Sequence, residues 1–143
     1  MARERIFGEL LSSQRLAVLS TDDRGRPWSS LVAFAATPDR KSLVFATPRN
    51  TRKFANLSGN GRVSLLVDDR PNREEDFAEA AAATILGSAR EVTGEERESC
   101  LALFLGKHPR LSSFARSPDS AVIRVEVEAF FVASRFQAGS EPR

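Results

Sequence analysis

Six short runs rich in β-branched and other apolar residues, each closed by a turn-forming cluster, are the strongest constraint in this chain. They cover residues 15–21, 27–36, 42–47, 62–67, 84–92 and 123–131. Between the first two stand Asp22, Asp23, Arg24 and Gly25. Asp tolerates turn geometry and Gly supplies positive φ, so these runs form a hairpin. Residues 37–41 (Thr-Pro-Asp-Arg-Lys) make a second polar turn. In the last run Ile123, Val125, Val127, Ala129 and Phe131 alternate with Arg124, Glu126 and Glu128. A period of two puts the first set on one face of a half-buried strand and the second on the other.

Helical spacing interrupts these strands in a few places. Ile6, Leu10 and Leu11 share one side of residues 3–13, and Leu101, Phe104 and Leu105 share one side of residues 94–107. Residues 51–57 and 111–116 read as short helices, the former capped by Asn50 or Thr51. Residues 68–76 are charged and read as an exposed loop. The alanine run at 78–83 stays open between helix, which its propensity favours, and an early start of the strand at 84–92. Residues 138–143 are expected to fray. The expected fold is mainly β (α+β): one domain over residues 1–143, a six-stranded barrel with short flanking helices.

Composition narrows the function classes. With 41% apolar and 28% charged residues in 143, the chain suits one globular core. Twenty-one basic residues face 19 acidic ones with no basic stripe, and the ten Phe are scattered, so no nucleic-acid partner is expected. No stretch approaches the ~20 apolar residues of a membrane span. With no signal-like start, the expected location is the cytoplasm. Cys100 is the single cysteine, which excludes an internal disulfide and a cysteine metal cluster. It reads as a small core residue, with a reactive thiol as the alternative. No carboxylate pair, Ser-His-Asp set or metal-ligand spacing stands out, so no metal is expected and no catalytic side chain is assigned.

The segment with most chemistry runs from residue 45 to residue 53. A strand ends, a loop turns, and a helix begins with Thr51, Arg52 and Lys53 after Thr47. A helix N-terminus offers unpaired N–H groups and partial positive charge to an anion. Arg adds a planar fork suited to phosphate oxygens and Lys a compact charge, while the two threonines offer hydroxyls. The same cations also make sense as a merely solvated first turn.

This order of elements resembles the pyridoxamine 5'-phosphate oxidase-like split barrels. The likeness rests on Thr47, Thr51, Arg52 and Lys53, followed by Asn60, Arg62, Val63, Ser64, Leu65 and Leu66. It extends to the opening residues 16–21 with Gly25 and Pro27, to residues 85–89, and to the last strand, ending at Gln137. The resemblance implies a split barrel that forms a homodimer and binds FMN in clefts at the subunit interface. Arg52 and Lys53 would then hold the FMN phosphate with Thr47 and Thr51 in support, and the strand bearing Ser30, Leu31, Val32 and Ala33 would lie beside the isoalloxazine. It further implies a flavin-dependent oxidoreductase acting on a small-molecule substrate.

Departures from the family pattern limit that reading. Family enzymes often carry a basic residue on the second strand and Gln on a later one; here those regions read Ser30-Leu31-Val32 and Ala81-Ala82-Ala83. The chain has no tyrosine, a residue type with which true pyridoxamine phosphate oxidases hold substrate, so oxidation of that compound is not expected. A non-enzymatic flavin or haem carrier on the same barrel is the alternative, and a deazaflavin could replace FMN. His108 reads as a helix-end residue, or as a haem contact in the alternative. Trp28 reads as core or dimer packing, or as a stacking surface near a flavin.

Overall fold

The computed structural model describes residues 2–134. The tail expected to fray and Gln137 lie outside the described residues. The order along the chain is α1 (Ala2–Ser13), β1 (Leu16–Asp23), β2 (Arg26–Ala33), β3 (Ala35–Ala36), β4 (Ser42–Pro48), α2 (Arg52–Gly59), β5 (Arg62–Asp68), α3 (Asp76–Glu79), β6 (Ala81–Glu91), α4 (Gly94–Lys107), α5 (Ser112–Arg116) and β7 (Ser120–Ser134). A 3-10 turn, Pro109–Leu111, joins the last two helices.

The strands form one antiparallel sheet in the order β2-β1-β5-β6-β7-β4-β3. Its two end strands are consecutive in the chain, separated only by Phe34. The sheet therefore curls back on itself, and the β2–β3 segment spans the seam. Seven strands stand where six were expected, because the run at 27–36 is two strands. Phe34 leaves the ladder, donates its N–H to the Arg15 carbonyl at 3.2 Å, and buries its ring completely. Beyond that step Ala35 and Ala36 pair with Val44 and Leu43 of β4.

Two apolar layers result. Leu19, Phe45, Leu65, Ile85 and Ile123 fill the inside of the curl, and α1 closes it with Phe7, Leu10 and Leu11. The second layer lies outside, where Val44, Ala46 and Val122 meet Cys100, Leu101 and Phe104 of α4 and Ala115 of α5. Buried on both faces, β4 reads as a continuous apolar run, Ser-Leu-Val-Phe-Ala-Thr, with no alternation. Cys100 is a core residue here, and burial raises its thiol pKa.

The alanine run resolves partly into strand. Ala81, Ala82 and Ala83 each pair with β7, and the last two also pair with β5, so tertiary pairing overrides helix propensity. The alternation expected in the last strand holds only to Val127. Leu86 pairs with Ala129 and the next residue, Gly87, with Val127, so Glu128 is the extra residue of a bulge. One extra residue exchanges the faces. Phe130 and Val132 therefore point inward, Phe130 stacking on Phe7 at 3.9 Å, and Phe131 points outward, 43% exposed.

Because α4 and α5 cover only the outside of β4 and the start of β7, the outer face of the other strands is bare among the described residues. Register places Leu31, Val18, Leu66, Thr84 and Phe131 in one row across five strands. Leu31 at its end is 62% exposed.

Candidate functional site

The junction between β4 and α2 is braced by threonine hydroxyls. Thr51 takes extended geometry as N-cap, and its Oγ1 accepts from the Phe54 N–H at 3.3 Å. That Oγ1 donates to the Pro48 carbonyl at 2.9 Å and lies 3.0 Å from the Thr47 Oγ1. Thr47 is fully buried, and its hydroxyl hydrogen stays within the junction, on Pro48 or Thr51. Both side chains therefore fix the turn. Neither sends a spare hydrogen outward.

Arg52 and Lys53 open the helix, where the first N–H groups have no intrahelical acceptor. Arg52 reaches across to the β1–β2 hairpin: its Nη1 donates to Asp23 Oδ2 at 2.8 Å, and its guanidinium lies 4.7 Å from the centre of the Trp28 ring. Lys53 is half-buried, and its ammonium has no hydrogen bond or ion pair to any described residue. Arg49, just before the helix, is committed to Glu91 at 2.6 Å, a contact that raises its pKa.

A cleft of about 700 Å³ opens between the hairpin tip and α2. Asp22, Asp23, Arg24 and Arg26 line it from the hairpin, and Arg52, Ala55 and Gly59 from the helix. Below, Asn56 Nδ2 donates to Thr21 Oγ1 at 3.1 Å and Asn60 Nδ2 to Asp22 Oδ2 at 3.2 Å, tying the helix to β1. Sequence reasoning missed Asp23, Arg24 and Arg26 as residues of this cleft. Their signal was the charge density of residues 22–26, which turn chemistry alone accounted for.

Ser30, Leu31, Val32 and Ala33 lie on β2, the end strand of the order, paired with β1 on one edge. The other edge leaves alternate N–H and C=O groups without a ladder partner. Val32 is buried and Leu31 points outward. Trp28, on the same strand, joins neither apolar layer; it is 39% exposed and meets Arg52. At the strand rise, Ser30 stands ~7 Å and Ala33 ~17 Å along β2 from Trp28. One strand thus connects the helix-start cations to the outer apolar face. His108 is the C-cap of α4 and buried, its Nε2 2.7 Å from the Phe34 carbonyl and its ring beside Phe104.

Known proteins resemble this chain in sequence and in fold. A family model described as pyridoxamine 5'-phosphate oxidase matches residues 7–133. A pyridoxamine 5'-phosphate oxidase homologue of Schizosaccharomyces pombe is 35% identical over 81 residues, half of this chain and 43% of the yeast protein. The alignment thus spans less than half the length of that curated relative. The fold is also that of HutZ, a haem storage protein of Vibrio cholerae, with TM-score 0.78 at 20% identity over 92% of this chain and 95% of that one. A FAD-binding protein from Mesorhizobium loti aligns with TM-score 0.69 at 16% identity over 90% of each chain. With its curled antiparallel sheet and a match over most of its length, the chain belongs to the pyridoxamine 5'-phosphate oxidase family.

Proposed function

We propose that the protein binds FMN and works as a flavin-dependent oxidoreductase on a small molecule, as a cytoplasmic homodimer with the flavin at the subunit interface. The observation that carries this reading is the Arg52–Lys53 pair at the start of α2. Lys53 is a half-buried cation with no partner among the described residues, beside helix N–H groups that also lack one. A phosphate supplies the missing acceptor. Arg52 joins it by sharing its guanidinium between the phosphate and Asp23, and Thr47 and Thr51 support the site by holding the turn.

The open edge of β2 suits the other end of such a cofactor. Main-chain groups of Ser30, Leu31, Val32 and Ala33 bond the polar rim of the ring while apolar side chains wall its faces. Bound flavin supplies the electron transfer, and the protein contributes binding and orientation. This agrees with the lack of an evident nucleophile in the sequence.

The outer row from Leu31 to Phe131 supports the homodimer, since an apolar face of this extent is the kind a second copy covers. No helix among the described residues is long and apolar enough to cross a membrane. Haem binding, named for HutZ, is the weaker reading: the one histidine of this chain already bonds a main-chain carbonyl inside the core.

The absorption spectrum of untagged protein after reconstitution with FMN, haem or a deazaflavin tests the reading. Retention of a flavin band through gel filtration, and its bleaching by NADH or NADPH, is expected. Retention of haem alone overturns it. A retained flavin that no reductant bleaches leaves a carrier and rejects the oxidoreductase.

A further inference from the structure

We propose that the groove between α1, the β3–β4 turn and α4 is a second binding site, taking a small organic carboxylate on Lys107 and Arg40. It shares no residue with the flavin site proposed above. The groove measures about 630 Å³, and its walls are mostly small and apolar, with Ala36, Pro38 and Leu103 among them.

Its two cations are held in place and lack counter-charges. Lys107 Nζ donates to the Leu11 carbonyl at the end of α1 at 2.9 Å and lies 4.0 Å from the centre of the buried Phe34 ring. An ammonium has three donors, so two remain. Arg40 Nη1 donates to the Glu4 carbonyl at 3.3 Å, and its guanidinium rests against Gly8, where a Cβ would come within 2.2 Å of its Cζ. Glycine at position 8 thus makes room for it. Arg40 also takes a left-handed backbone, φ +62°, which a non-glycine residue adopts at a cost. Neither cation meets a carboxylate among the described residues.

The surrounding charges sharpen the imbalance. Arg15, before β1, adds its repulsion to burial, and together they push the Lys107 ammonium down to about 8. On the facing helix Glu9 turns to Arg5 at 3.3 Å. A ligand carboxylate between Lys107 and Arg40 would relieve this desolvated charge, and its hydrocarbon part would cover the apolar wall. One ammonium and one guanidinium suit a monoanion. Inorganic phosphate has no hydrocarbon part to set against the apolar wall, which favours a carboxylate that carries one.

Titration calorimetry with octanoate, octanol and inorganic phosphate tests the site on the intact chain and on the Lys107→Met and Arg40→Gln variants. Saturable octanoate binding is expected, weakened ~10-fold or more in each variant, with octanol and phosphate much weaker. Arg40 is exposed on a turn, so that variant keeps the core intact. NMR of the three lysines (Lys41, Lys53 and Lys107) adds a second readout: octanoate raises the Lys107 titration and leaves Lys53 unmoved. No octanoate binding, equal affinity for octanol, full affinity in both variants, or an unmoved Lys107 titration each overturns the proposal.

Discussion

The guanidinium of Arg52 lies 4.7 Å from the centre of the Trp28 ring, so the first residue of α2 rests on the second strand of the barrel. Asp23 holds the same guanidinium from the hairpin at 2.8 Å. These contacts pre-position the cation, at the cost of placing a carboxylate beside the proposed phosphate site.

Replacing that carboxylate separates the two effects. Asp23→Asn keeps an acceptor for Arg52 and removes a negative charge. FMN affinity is expected to rise ~3–5-fold at low salt, in line with a partly exposed ion pair of up to ~1 kcal/mol. The gain should shrink as salt screens the charges. Fluorescence quenching of FMN at two salt concentrations measures it, and a loss of affinity would show that Asp23 aids binding.

The outer face makes a separate prediction about assembly. Leu31→Asp puts a charge at the end of the row running to Phe131, on a side chain already largely exposed. The folded monomer tolerates it, so melting at high dilution should change little. Sedimentation equilibrium should show dimer for the wild type and monomer for the variant. An unchanged dimer rules out this face as the interface.

The bulge opposite Gly87 leaves no room for a methyl group. A Cβ there would come within 2.4 Å of the Glu126 carbonyl oxygen and 2.8 Å of Val125 Cγ1. Gly87→Ala must therefore displace backbone, and ~1–3 kcal/mol of stability is expected to be lost, as for overpacked cores. Urea denaturation of wild type and variant checks this.

Much of this architecture was legible along the chain, because local chemistry specifies it. The first hairpin follows from residues 22–25, and the helix expected at 94–107 is α4, Gly94–Lys107, to the residue. The doublet Arg52–Lys53, proposed as the phosphate site, stood out because it opens a helix after a strand. What stayed hidden depends on partners distant in sequence. Nothing local in Val-Ala-Phe-Ala-Ala shows that the Phe34 N–H turns to Arg15 and splits one strand into two. The exchange of faces after Glu128 arises where Gly87 pairs with Val127, 40 positions later, and Leu86 with Ala129, which moved Phe131 from the expected inner face to the outer one. Asp23 looked like a turn residue because its pairing with Arg52 spans 29 positions.

Stability should carry a signature of Lys107 at alkaline pH. Its ammonium titrates near 8 in the folded chain, lowered by burial and by Arg15 from 10.5. Between those values the unfolded chain binds more protons, so this group adds stability as pH rises. Partial exposure limits the gain to ~1 kcal/mol. The buried Cys100 thiol, raised above its usual 9.0, acts oppositely: its contribution is lost as pH climbs past that value. Comparing wild type with Lys107→Met by urea denaturation at pH 7.5 and 10 cancels the cysteine effect. Wild type should gain relative to the variant over that interval, and a constant difference contradicts the assignment.

The most direct test of the proposed phosphate site compares FMN with riboflavin, which differs only in lacking the phosphate. Two charge-assisted contacts at ~1.5–3 kcal/mol each predict that the wild type prefers FMN by ~100-fold or more. The Arg52→Ala/Lys53→Ala variant should bind both flavins alike, close to the wild-type affinity for riboflavin. Equal affinity for the two flavins in the wild type, or an undiminished FMN preference in the double variant, would contradict the account.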